Sequence, residues 1–134
     1  MLIQFSVENF LSIKDNVVLS LLASKDNEHP EHLIVDGNKK HLKSAVIYGA
    51  NASGKSNVLN AFWFMVNYVL TSHNQQLHKT IARSPFKFDP ETPARPSSFE
   101  VIFTTEGVRY AYGFSVTDKA VIEEYLYYYP NGRQ

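Results

Sequence analysis

The strongest constraint on the fold of this chain is a run of eight residues, Gly49-Ala50-Asn51-Ala52-Ser53-Gly54-Lys55-Ser56. The run fits G-x-x-x-x-G-K-[ST], in which glycines allow a tight turn and successive backbone amides point into one concavity. The lysine supplies a positive charge for β- and γ-phosphates, and the hydroxyl that follows is a natural ligand for Mg²⁺. The pattern therefore predicts a phosphate-binding loop, the P-loop.

The residues on either side of this loop fit the same prediction. Residues 44–48 are apolar and β-branched, which is typical of a buried strand. Residues 56–70 carry apolar side chains at helical spacing, and the apolar face is so wide that we expect a helix buried on most sides, with Trp63 in the core. A helix that starts at the loop would also direct the positive end of its dipole at the phosphate.

Strand patterns occupy both ends of the chain. Leu2 to Phe10 alternates between apolar and polar residues, and Val17 to Ala23 is a second apolar run, so we expect an antiparallel pair. Residues 98–129 predict three antiparallel strands with turns at 105–107 and 117–119. The predicted fold class is α/β, organised as a strand pair, P-loop and helix (1–70), a proline-rich connection (71–97) and an antiparallel β meander (98–134).

Composition adds few constraints. The formal net charge is zero, which gives no electrostatic argument for binding nucleic acid. Cysteine is absent, which excludes disulfides and thiolate metal sites, and neither a signal-like N-terminus nor a membrane-length apolar run is found. We therefore expect a cytoplasmic protein.

Residues 24–43 are polar and predict a loop. The loop contains His29, His32 and His41, whose spacing matches no standard metal-ligand pattern, so we interpret them as solvated histidines. Farther along, Gln75 and Gln76 are candidates for sensing Mg²⁺ and the γ-phosphate, although an exposed loop is the better explanation for them.

Hydrolysis needs more than a P-loop. P-loop ATPases usually add a strand that ends in Asp, which holds the Mg²⁺ shell, and a following Glu that polarises water. Residues 33–36 and 120–124 resemble such a strand only in part. The guanine-binding pattern N-K-x-D is absent and two strands are expected before the P-loop, which argues against a GTPase and against a nucleotide kinase.

Two further patterns make the chain resemble a known branch of ATPases. Ile3-x-Phe5-x-Val7-x-Asn9-Phe10-Leu11-Ser12 is similar to the first strand and N-F-x-S loop of ABC/SMC-type ATPases related to RecF, and Tyr48 to Asn57 is similar to their P-loop. The tail, residues 99–126, resembles the meander of bacterial AAA15-like and OLD-like proteins, many of which serve in phage defence or abortive infection. Leu11 departs from this pattern, because the position is often basic in the repair ATPases of the branch.

The resemblance implies the N-terminal lobe of an ATPase head whose remaining motifs lie in a C-terminal part. It implies ATP and Mg²⁺ as cofactors, with Lys55 as the catalytic lysine and Ser56 as the metal ligand. It also implies a homodimer with ATP between two heads, with a nuclease effector and nucleic acid as candidate partners. The implied nucleotide-binding residues are Gly49, Asn51, Ala52, Ser53, Gly54, Lys55, Ser56 and Asn57. The alternative that stays open is a non-catalytic nucleotide-binding or scaffold piece of a larger assembly.

Overall fold

A computed structural model describes residues 1–25, 29–36, 39–72 and 80–130, and the fold is given for those residues. They form seven strands, one α-helix and two short 3₁₀ helices. The strands are β1 (Leu2–Glu8), β2 (Val17–Ser20), β3 (Leu33–Asp36), β4 (Lys39–Leu42), β5 (Ser97–Thr105), β6 (Val108–Val116) and β7 (Val121–Tyr129). The α-helix is α1 (Lys55–Thr71), and the 3₁₀ helices are Pro30–His32 and Thr92–Ala94.

Five of the strands form one antiparallel sheet in the order β2-β1-β5-β6-β7. The expected pairing of the first two strands is confirmed, with Phe5 opposite Leu19. The expected meander is confirmed as well, and its first turn is tight because Glu106 and Gly107 both adopt positive φ. The pairing of β1 with β5, which joins the two ends of the chain in one sheet, was not predicted.

One face of the sheet packs against α1 and forms the core. The alternation in β1 places Ile3, Phe5 and Val7 on this face, where all three are buried. Phe5 meets Phe62 of the helix edge to face, with ring centroids 5.1 Å apart. The core also contains Phe10, Ile13, Ala61, Met65, Ile81, Phe99, Phe114 and Val116.

The opposite face of the sheet is polar and has its own specific packing. The ring of Tyr125 on β7 crosses Gly113 on β6, and its hydroxyl donates to Glu100 on β5 over 2.7 Å. A Cβ atom at Gly113 would lie only 2.4 Å from the tyrosine hydroxyl. Glycine is therefore needed at this position for one side chain to link three strands.

The connection before β5 is irregular but tied to the core by polar contacts. Asn9 is fully buried, and its amide donates to the carbonyls of Thr92, Arg95 and Pro96 over 2.8–3.1 Å. Its Oδ1 accepts from the backbone N–H of Phe86. Residues 80–91 therefore hold their position without regular secondary structure.

A second buried side chain secures the same connection. Arg83 is buried and donates through Nε to the carboxylate of Asp118 over 2.6 Å. Its guanidinium also donates to the carbonyls of Arg95 and Pro93, each over 2.7 Å. The fixed fork of the guanidinium thus joins the connection to the turn between β6 and β7.

Three predictions made from the sequence are wrong, and they concern residues 44–48, helix α1 and residues 24–43. Residues 44–49 do not form a strand, and Val46 and Tyr48 are 83% and 90% exposed. The physical reason is that no described strand lies alongside them to satisfy their backbone groups. The described residues therefore make a mostly antiparallel sheet with one helix, which is compatible with an α/β protein but lacks the strand that was expected before the loop.

The second error concerns α1, which was expected to be buried on most sides. Only Ala61 and Met65 are buried, whereas Trp63 is 68% exposed, so its predicted core position is wrong. The helix has the sheet on one side and no described layer on the other. Its apolar outer face therefore stays in contact with solvent.

The third error concerns residues 24–43, which were expected to form a loop. The described part includes the antiparallel hairpin β3–β4, with Ile34 opposite His41. His41 is buried, so it is not a solvated loop histidine, whereas His29 and His32 are exposed as expected. Each strand is only four residues long and β4 begins with two lysines, so the sequence pattern did not indicate the hairpin.

Candidate functional site

The predicted phosphate-binding loop leads directly into the first turn of α1. Ala52 and Gly54 adopt positive φ, 63° and 91°, and the N–H of Ser53 donates to the carbonyl of Ala50. Gly54 is the N-cap residue and supplies no side-chain acceptor to the helix amides. The first helical turn contains no acidic residue, so the positive end of the helix dipole is not neutralised locally.

Lys55 folds back over the loop from the first position of α1. Its Nζ donates to the carbonyls of Gly49 and Ala50 over 2.8 and 2.7 Å. An ammonium group has three N–H donors, so these contacts leave one for a ligand. The ammonium group of Lys55 therefore lies across the opening of the loop, close to the backbone amides that follow Ala50.

The loop after β1 braces the P-loop from the side. The hydroxyl of Ser12 accepts from Nδ2 of Asn57 over 2.7 Å. A Cβ atom at Gly54 would lie 2.8 Å from the same hydroxyl, so this glycine is required by close approach as well as by its φ. Ser12 is a site residue whose contact with the P-loop the sequence did not predict, although the N-F-x-S pattern had marked its position.

A groove of about 580 Å³ opens between these two loops. Its walls include Ser53, Gly54 and Lys55 from the P-loop, together with residues 12–17 and Ile47, Tyr48, Val58 and Phe86. The groove thus joins the candidate phosphate site to a wider, partly apolar space. Its size and mixed lining suit a ligand with a charged end and a flat apolar end.

One ion pair fixes the wall of this groove. Lys14 Nζ lies 2.7 Å from Asp89 Oδ2, which ties the loop after β1 to the proline-rich connection. The hydrogen bond from Lys14 and its charge lower the pKa of Asp89, and the same contact raises the pKa of Lys14. The charge of Lys14 is therefore shared with Asp89.

The structure brings the predicted loop residues together in one continuous segment. Gly49 to Asn57 share the turn and the helix start, with Asn51, Ala52, Ser53 and Ser56 exposed and Gly54, Lys55 and Asn57 partly buried. No contact among the described residues occupies the hydroxyl of Ser56. The assignment of these residues to phosphate and Mg²⁺ remains a prediction, and Gln75 and Gln76 lie outside the described residues.

Comparison with known proteins identifies the family. Residues 44–134, about two-thirds of the chain, match the family described as "AAA domain, putative AbiEii toxin, Type IV TA system". The chain belongs to this AAA-domain family. No curated protein matches it closely. The family supports a P-loop ATPase-like protein that binds nucleotide, with Mg²⁺ as the usual companion of the phosphates.

The two partial matches to a hydrolytic strand do not reach the P-loop of this AAA-domain chain. Residues 33–36 lie in β3 of the separate hairpin, and residues 121–124 lie in β7 at the edge of the large sheet. Neither segment lines the groove beside the loop. Among the described residues, only Asp15 brings a carboxylate to the groove.

No helix in the described part of the chain is long and apolar enough to cross a membrane.

Proposed function

We propose that this chain binds ATP and Mg²⁺ at residues 49–57 and that the complete protein hydrolyses ATP. The observation that carries the proposal is the geometry of the loop. The loop leads directly into α1, whose first amides have no side-chain cap. Lys55 Nζ donates hydrogen bonds to two carbonyls of the loop over 2.7–2.8 Å. A helix start with unsatisfied amides and a nearby ammonium group is a favourable site for phosphate.

The role of each residue follows from its position. The amides of residues 51–55 cradle phosphate oxygens, and Lys55 exchanges its carbonyl contacts for the β- and γ-phosphates. Ser56, exposed in the first turn of α1, supplies a hydroxyl to Mg²⁺. Asn57 contributes indirectly, because its contact with Ser12 fixes the loop against β1.

The ABC/SMC-type head organisation is part of this proposal. Residues 46–48 and the outer face of α1 are apolar and exposed, and a wholly apolar groove of about 350 Å³ runs between α1 and β5–β7. Exposed apolar surface of this extent is typical of a face that another protein layer covers. We propose that the C-terminal remainder of the same ATPase provides that layer, and that two heads close on ATP as a homodimer.

The family description supports a role in a toxin–antitoxin or anti-phage system. The description names a putative toxin of a type IV system, and many of the AAA15-like and OLD-like proteins that the chain resembles serve in phage defence. In this proposal ATP-driven closure of the heads controls an effector, for which a nuclease is the candidate. The neutral net charge gives this segment no electrostatic attraction for nucleic acid.

A second function is favoured by the position of the acidic residues. Neither partial match to a hydrolytic strand approaches the groove, and Glu124 is hydrogen-bonded to Tyr112 instead. A site with phosphate donors but no residue to polarise water binds nucleotide without hydrolysing it. The alternative is therefore a non-catalytic nucleotide-binding scaffold within a larger assembly.

The variant Lys55→Ala in the complete protein tests the proposal. We expect loss of ATP hydrolysis and of ATP-driven dimerisation, because the variant removes the charge at the phosphates. Turnover is measured by phosphate release and dimerisation by sedimentation, with Lys119→Ala, in an exposed turn, as the matched control. Wild-type turnover in Lys55→Ala would refute the assignment, and ATP-driven dimerisation without turnover in the wild type would favour the scaffold.

A further inference from the structure

The turn that precedes the β3–β4 hairpin brings three metal-binding side chains together. His29 Nδ1 lies 3.1 Å and His32 Nε2 lies 3.4 Å from the same oxygen, Oε1 of Glu31. The three ligand atoms lie within 4.8 Å of one another, and all three side chains are exposed. We propose that His29, Glu31 and His32 form a binding site for one divalent transition-metal ion of the Zn²⁺ class.

The donor set suits this class of ion. Two imidazoles and a carboxylate are ligands that Zn²⁺ takes in proteins, at bond lengths of about 2.0–2.2 Å. In a tetrahedron with bonds of that length, neighbouring ligand atoms lie roughly 3.3 Å apart. The two separations from Glu31 Oε1 already match this spacing, and the two histidine nitrogens lie within 4.8 Å of each other. Three protein ligands leave a fourth position for water.

The backbone of the turn directs these side chains toward one point. His29 adopts the left-handed conformation, with φ 56° and ψ 55°, and the N–H of His32 donates to its carbonyl over 3.0 Å. Lys43 Nζ donates to the backbone carbonyl of Glu31 over 2.8 Å rather than to its carboxylate. These contacts fix the turn through its main chain. The carboxylate of Glu31 therefore contacts the two histidines and not Lys43.

This site is independent of the P-loop. It lies on the 3₁₀ helix Pro30–His32, and none of its three residues lines the groove beside Lys55. An ion bound there would link His29, just before the short helix, to Glu31 and His32 within it. We therefore expect the metal to stabilise this segment without requiring ATP.

Calorimetric titration of the metal-free chain with ZnCl₂, in the absence of nucleotide, tests the proposal. We expect saturable binding of one Zn²⁺ per chain. The double variant His29→Ala/His32→Ala should bind at least about 100-fold more weakly, since the loss of even an outer partner of a metal ligand costs roughly 10–100-fold. Glu31→Gln, which keeps the size of the side chain but removes its charge, should also weaken binding.

The matched control is Glu106→Gln, which removes one carboxylate charge in the exposed turn between β5 and β6, outside the cluster, and should keep the wild-type affinity. Circular dichroism of each variant establishes that it folds. The proposal is overturned if the wild type shows no saturable binding, or if His29→Ala/His32→Ala binds Zn²⁺ as tightly as Glu106→Gln does. In that case the contacts of Glu31 are hydrogen bonds and ion pairs of an exposed turn only.

Discussion

At the scale of single residues, one buried asparagine holds the proline-rich connection in place. Asn9 has two N–H donors and directs them at three carbonyls of the proline-rich connection, while its Oδ1 accepts from a fourth backbone group. It also adopts φ 54°, a conformation that asparagine tolerates better than most residues. One side chain thus replaces the regular hydrogen bonding that this connection lacks.

We expect Asn9→Ala to lower the free energy of unfolding by roughly 3 kcal/mol. The change leaves the N–H of Phe86 and several carbonyls unsatisfied in a buried place, and it puts alanine at a positive φ. Urea denaturation measures the effect, with Asn60→Ala on the exposed surface of α1 as the control. A loss below about 1 kcal/mol for Asn9→Ala would show that water or other groups replace the amide.

The sequence identified the residues of the P-loop but not the partners that fix them. The spacing of Gly49, Gly54 and Lys55 is a local signal, because one turn and one helix start determine it. The contact between Ser12 and Asn57 joins residues 45 positions apart, and no local pattern encodes such a pairing. The same holds for the contacts of Asn9 with Thr92 and of Arg83 with Asp118, which also join residues far apart in the sequence.

At the scale of elements, α1 shows what helical spacing can and cannot predict. The start and end of the helix were predicted within one residue, since the glycine before it and the apolar spacing are local features. The burial of the helix was not predicted, because burial depends on which layers surround the helix. For the same reason, residues 44–48 had the composition of a buried strand and yet remain exposed without a partner.

Two substitutions on α1 distinguish its inner and outer faces. Met65 is 2% exposed, so Met65→Ala should lower the free energy of unfolding by about 2–5 kcal/mol through the cavity it leaves. Trp63→Ala, on the exposed face, should cost less than about 1 kcal/mol. Both are measured by denaturant unfolding. Equal losses for the two variants would mean that the outer face of the helix is covered in solution.

At the scale of the whole molecule, one antiparallel sheet unites the two ends of the chain. The meander was predictable because alternation and turns are local, whereas the pairing of β1 with β5 joins residues 90 or more positions apart. Two tyrosine–carboxylate pairs then cross this sheet, one on each face: Tyr112 with Glu124 and Tyr125 with Glu100. Burial, followed by the hydrogen bond to each carboxylate, raises the pKa of both tyrosines.

These raised pKa values predict a loss of stability at alkaline pH. The folded state holds the two phenol protons more tightly than the unfolded state does, so this contribution is complete below about pH 10, the usual pKa of tyrosine. It is lost as the pH rises from there toward the folded-state pKa. Between pH 8 and 11 the wild type should therefore lose more stability in urea than Tyr112→Phe/Tyr125→Phe does. Parallel losses would exclude the two tyrosines as the cause.

The central claim is that residues 49–57 bind nucleotide, and calorimetric titration of the chain with Mg-ATP tests it most directly. We predict saturable binding that Lys55→Ala weakens by at least about tenfold, because a charge-assisted contact to phosphate contributes about 1.5–3 kcal/mol. Lys119→Ala should bind as the wild type does. Equal affinity in Lys55→Ala and the wild type, or no saturable binding by the wild type, would contradict the claim.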